Sequence, residues 1–131
     1  MSYKLNAKQV DNIFKLSCEE RYDYFLNKLA DWQELWILVN EDKQFLKIFS
    51  EEDALEYVPV WPHPDFAVAY VGDSGEPLTP KRILLSDFFD RWVSGLQRDE
   101  LEVGVFPSLD KTVWMTAPSE LQEDLEDLLS Q

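Results

Sequence analysis

Val58-Pro59-Val60-Trp61-Pro62-His63-Pro64-Asp65-Phe66-Ala67 is the stretch around which the chain is organised. Pro59, Pro62 and Pro64 hold φ at about −65° and push each preceding residue towards extended geometry. The reading is a stiff, extended connector, excluded from helix interiors and from the middle of a sheet. Trp61, set between two prolines, has few directions in which to point its indole. Two roles stay open for it. One is a core anchor, whose truncation costs about 3–5 kcal/mol. The other is a rigid aromatic presented to a ligand, with His63 beside it and Asp65 as the adjacent carboxylate.

Working outward, Val10, Ile13 and Phe14 recur at helical spacing within Ala7 to Leu16, with Asn6 as N-cap. Ser17 and Glu20 form a capping-box pattern that opens a second helix through about Trp32, with Tyr22, Phe25, Leu26 and Leu29 on one face. Glu34 to Asn40 and Gln44 to Phe49 read as a hairpin, and the unbroken apolar run Leu35 to Val39 predicts a strand covered on both faces. Ser50 to Asp53 resembles a cap for a short helix reaching about Tyr57. Beyond the prolines, Phe66 to Val71 fits a buried strand or a short helix equally well. Gly72 to Lys81 is a loop, Arg82 to Leu85 a short strand, and Ser86 caps a helix carrying Phe88, Phe89, Trp92, Val93 and Leu96. Glu102 to Pro107 and Thr112 to Thr116 form a second hairpin. Pro118-Ser119 opens a closing helix with Leu121, Leu125, Leu128 and Leu129 on one side. This order lacks regular βαβ alternation. It predicts a single α+β domain: a mostly antiparallel sheet from two hairpins plus short strands, packed by four to five helices. The helical part spans about 6–32, the sheet-containing part about 34–116 and the closing helix about 118–130.

At 131 residues, 45% of them hydrophobic, the chain is long enough for a sizeable core. Twenty-six acidic against twelve basic residues give a net charge of −14. Such a field repels nucleic acid and anionic membrane and favours encounter with basic proteins. The start of the chain lacks the basic and apolar regions of a signal peptide, and the longest apolar run, Phe66 to Val71, is far short of a membrane span, so a cytoplasmic protein is expected.

The residues supply little catalytic chemistry. Gly72-Asp73-Ser74-Gly75 matches the nucleophile loop of trypsin-like proteases. Yet His63 is eleven residues away, Glu76 replaces the glycine of that motif, and the chain is too short for two β-barrels. Cys18 is the sole cysteine and His63 the sole histidine. That pair is a poor start for a zinc site and rules out an intrachain disulfide. In a first helical turn the Cys18 thiol would be activated by the helix dipole, but Glu19 and Glu20 oppose this. No calcium-loop or phosphate-cradling glycine pattern occurs. No catalytic residue, metal site or cofactor is expected.

The combination of Leu35-Trp36-Ile37-Leu38, Val58-Pro59-Val60-Trp61-Pro62-His63, Ala67, Phe88-Phe89-Asp90-Arg91-Trp92 and Val103-Gly104-Val105-Phe106-Pro107 resembles small bacterial proteins catalogued as domain of unknown function 2750. The likeness covers roughly residues 5 to 130. It implies a compact bacterial domain and carries no activity, cofactor or catalytic residue with it. The functional expectation therefore rests on the residues. It is a non-enzymatic module binding a basic protein, of the immunity- or antitoxin-like inhibitor or regulatory-adaptor kind. The alternatives are a structural or homo-oligomeric module joined through an edge strand, and a small-ligand or enzymatic pocket around Trp61, His63 and Asp65.

Overall fold

A computed structural model of the chain describes residues 7–72, 77–109 and 112–130. The fold is α+β, and most strand pairs are antiparallel. Strands β1 (Glu34–Val39) and β4 (Thr79–Leu84) pair antiparallel, with Leu35 opposite Ile83 and Val39 opposite Thr79. A four-stranded sheet runs β2 (Ile48–Ser50), β3 (Leu55–Val60), β5 (Glu102–Val105) and β6 (Trp114–Thr116). Within it β3 and β5 are parallel and the outer pairs are antiparallel. Trp36 and Trp61 exchange backbone bonds of 2.8 and 2.9 Å, so β1 continues the sheet beside the end of β3. The four β1 residues Leu35, Ile37, Leu38 and Val39 are all buried, as their apolar run requires.

The proline stretch departs from its expected role. Val58-Pro59-Val60 is the second half of β3 and lies inside the four-stranded sheet. Strand alternation explains how a proline is tolerated there. The Val60 carbonyl accepts from the Phe106 N–H at 2.8 Å and so points to β5. Pro59 therefore directs its nitrogen the other way, where the β2 register has already ended at Ile48 opposite Tyr57. Its missing donor falls in the gap between the end of β2 and the Trp36–Trp61 bridge, and no ladder bond is lost.

Three other expectations are corrected. The first hairpin shrinks to a single bridge, Val39 to Phe45, because β1 takes β4 as its partner. Residues 51–54 turn without becoming a helix. The Ser50 hydroxyl does accept from the Asp53 N–H at 3.2 Å, but Ala54 at φ 55° reverses the chain into β3. Ser86 is not a cap: Leu84 precedes α4 (Leu85–Asp87), which runs through a π turn (Phe88–Trp92) into α5 (Val93–Arg98). The second hairpin, β5 with β6, forms as read.

The remaining helices follow the sequence closely. α1 (Ala7–Phe14) buries Val10 and Phe14, while its proposed cap Asn6 lies outside the described residues. α2 (Cys18–Trp32) opens on a complete Ser17–Glu20 capping box. The ambiguous segment Phe66 to Val71 belongs to a helix, α3 (Pro64–Val71). α6 (Pro118–Leu129) buries Leu121 and Leu125, whereas Leu129 is exposed. Ser74 lies outside the described residues.

Tyr22 ties α2 to α6. Its hydroxyl donates to Asp124 Oδ2 at 2.5 Å, and its ring stacks on Trp114 at 4.8 Å. Burial first, then the bond to Asp124 and the charges of Glu120 and Asp23, push its phenol well above the usual tyrosine range. A group raised in the folded state contributes fully below its unfolded pKa, about 10 for tyrosine, and loses that contribution as pH climbs past it. Alkaline unfolding should therefore set in above about pH 10. In a pH titration followed by circular dichroism, Tyr22→Phe should move that transition upward while lowering stability at neutral pH. An unchanged alkaline midpoint would refute this role.

Candidate functional site

Successive strand residues face opposite sides of the sheet. Val58, Val60, Val103 and Val105 are buried on one side, where Tyr22 of α2 stacks on Trp114, the cross-strand partner of Val105. Tyr57, Gly104 and Met115 belong to the other side. Tyr57 lies flat there because position 104 has no side chain. A Cβ on Gly104 would stand 2.2 Å from Tyr57 Cδ2 and 2.5 Å from Cε2. Burial, then the neighbouring Tyr70, raises the Tyr57 phenol above its ordinary pKa.

A groove of about 450 Å³ opens over this surface, with Tyr57, Val113 and Met115 among its lining and Phe49, Glu52 and Asp53 at the turn between β2 and β3. Phe49 is 58% exposed, the most exposed large apolar side chain among the described residues. The bonds between Ser50 and Asp53, 3.0 and 3.2 Å, hold the turn from which Glu52 and Asp53 line the groove together with Phe49. Cys18 lines the same groove from the first turn of α2. The arrangement offers an aromatic anchor, an apolar floor and two negative charges.

The residues singled out in the proline stretch are placed differently. Trp61 is 0% exposed, and its indole N–H donates to the Pro107 carbonyl at 3.3 Å with Tyr70 packed 5.2 Å away. His63 is 3% exposed and is the N-cap of α3, its Nδ1 accepting from the Asp65 N–H at 3.1 Å. Asp65 Oδ2 lies 3.6 Å from the same Nδ1. A ring nitrogen that accepts from an N–H carries no proton, so this approach is not an ion pair. The edges of Trp32 and Phe66 close on the imidazole at 5.6 and 6.4 Å. The three residues thus come together at the seam between β3 and α3, with Trp61 and His63 buried and Asp65 partly exposed. The groove beside Phe49 contains none of them.

The family model described as "Protein of unknown function (DUF2750)" matches residues 22–125. The chain belongs to that family. Neither a curated protein nor a solved structure matches it. The DUF2750 match takes in the proline stretch, the Phe49 turn and both strands of the second hairpin, and leaves Cys18 outside. Among the described residues of this DUF2750 member, no three His, Cys, Asp or Glu side chains are grouped as metal ligands, and no helix is long and apolar enough to cross a membrane.

Sequence reasoning missed Phe49, Glu52 and Asp53. Ser50 to Asp53 satisfied a helix-cap pattern, which hides a turn whose bonds are the same but whose next residue adopts positive φ. The acid run beside an isolated phenylalanine was the available signal.

Proposed function

We propose that this chain is a non-enzymatic protein-binding module that seats a basic segment of its partner in the groove beside Phe49. The observation that carries the reading is that the exposed Phe49 lines one groove with Glu52 and Asp53 and with Tyr57, Val113 and Met115. An aromatic anchor supplies affinity at such a site, and the flanking carboxylates select a cationic partner and speed its approach. The net charge of −14 extends that steering over the whole molecule. On α6 the exposed acids Glu120, Glu123, Asp124, Glu126 and Asp127 have no basic neighbour within the helix.

A catalytic reading has less support. The sole histidine is committed to capping α3, and the groove that Cys18 lines holds no histidine, lysine or arginine among its described lining residues to activate the thiol. An immunity- or antitoxin-like inhibitor or a regulatory adaptor, in the cytoplasm of a bacterial cell, fits this description.

Capture from a lysate tests it, with wild type, Phe49→Ala and Glu52→Lys as baits and washes at low and then high salt. Both substitutions are at exposed positions, so the fold is retained. A basic protein held by wild type, released by salt and bound at least about tenfold more weakly by both variants is the expected result. Equal capture by all three baits would sink the assignment of this groove.

A further inference from the structure

Two further grooves, opposite in charge to the first, adjoin at Phe45. One, of about 710 Å³, is lined by Lys43, Phe45, Leu46, Lys47, Glu56 and Leu78 among others. The other, of about 220 Å³, is lined by Phe45, Arg91, Trp92, Leu96, Arg98 and Asp99 together with Gly95. Four cations against two carboxylates line the pair, on a chain whose net charge is −14.

The helix that supplies the smaller groove is built irregularly at this point. The Val93 N–H reaches back to the Phe88 carbonyl, an i→i−5 bond, and the resulting π turn ends on Arg91 and Trp92. Such turns insert a residue into the helical circuit and recur at functional sites. Trp92 meets Phe45 edge-on at 5.3 Å, so the two rings form an apolar ridge where the grooves join. Among the described residues the Arg91 guanidinium has no hydrogen bond or ion pair. Arg98 has a 3.7 Å contact to Asp99, and both are exposed. Exposed pairs of this kind contribute little, and a ligand carboxylate that takes both guanidinium donors displaces them readily.

We propose that these grooves form a second binding site, for a short acidic peptide segment of a partner whose carboxylates flank aliphatic or aromatic residues. The apolar side chains settle on Phe45, Leu46, Leu78, Trp92 and Leu96. The carboxylates meet Lys43 and Lys47 at one end and Arg91 and Arg98 at the other. A polynucleotide suits the site less well, because a phosphate on every residue also meets Glu56, Asp99 and the negative field of the whole chain. A peptide can place its few charges at the cations alone.

Fluorescence polarisation with labelled peptides composed of Asp, Glu, Leu and Phe tests this, against matched peptides carrying Asn and Gln in place of the acids. Wild type should bind the acidic set, more weakly as salt rises, and ignore the amide set. The Arg91→Glu/Arg98→Glu variant should lose at least about tenfold in affinity. Both positions are exposed, so circular dichroism should report an unchanged fold. Phe49→Ala should bind the acidic peptides as wild type does, which separates this site from the groove for a basic segment. The proposal is overturned if wild type binds no acidic peptide, or if the double charge reversal leaves binding intact. It is equally overturned if a single-stranded oligonucleotide binds more tightly than the peptides, or if the occupant proves to be a second copy, seen as a dimer that the double variant dissociates.

Discussion

Replacing Arg21 by methionine is expected to destabilise the protein by about 3–5 kcal/mol. Arg21 sits on α2, is 2% exposed, and meets carbonyls where a carboxylate would be the usual partner. Its Nε donates to the Phe106 carbonyl at 3.1 Å and its Nη1 to the Leu16 carbonyl at 2.6 Å. Its Nη2 donates to the Thr112 carbonyl at 3.1 Å and to Thr112 Oγ1 at 2.8 Å. One side chain thus ties the α1–α2 turn, the end of β5 and the approach to β6. Phe106 holds φ at 52°, in the left-handed region that a phenylalanine adopts only under constraint. Its N–H bond to Val60, its carbonyl bond to Arg21 and the packing of its ring against Phe66 at 4.7 Å together keep it there. Methionine fills most of the volume but leaves the buried Phe106 carbonyl without a donor. Lysine should fail to rescue, because one ammonium cannot span acceptors arranged around a planar fork. Urea unfolding monitored by circular dichroism reads the effect. A loss below about 1 kcal/mol would mean that water replaces the guanidinium at little cost.

The second large effect is expected at Trp61. Truncation to alanine should cost about 3–5 kcal/mol. Against a total stability of about 5–15 kcal/mol for a domain of this kind, the variant should be largely unfolded or close to it at physiological temperature. The indole is fully buried, and its backbone carries the bridge to Trp36 that joins β1 to the larger sheet. Trp61→Phe should cost less, through loss of the N–H bond to Pro107 and part of the packing on Tyr70. The contrast is informative because a ligand-presenting tryptophan would behave otherwise. Its removal would leave the urea midpoint in place and abolish binding. Measuring both variants by urea titration distinguishes the two roles directly, and a midpoint for Trp61→Ala equal to wild type would overturn the core assignment.

Local patterns were legible where the interactions they describe are themselves local. Ser17 and Glu20 are three residues apart and bond to each other, so the capping box and α2 could be read from the chain alone. The same holds for the second hairpin, whose strands are close in sequence, and for the burial of Leu35, Ile37, Leu38 and Val39. The α+β class follows from the order of such elements. The failures share a cause as well. Ser50 and Asp53 make the bonds of a helix cap, but the positive φ of Ala54 is set by the pairing of β3 with β2 and β5.

Strand partners and exposed sites belong to the folded molecule. β1 pairs with residues 79–84 because closing the core places them edge to edge, and nothing in either segment names the other. Pro59 sits within a sheet because a neighbour ends where its donor would be needed, which is a property of β2 and not of the proline. Nothing in the sequence around Glu19 and Glu20 marks Arg21, which becomes a buried clamp only when Phe106 and Thr112 arrive from far along the chain. Composition foretold an acidic protein with a real core and one histidine. Tertiary packing turned that histidine into a helix cap and left Phe49 outside, lining one groove with Glu52 and Asp53, because burial is decided by which surfaces meet.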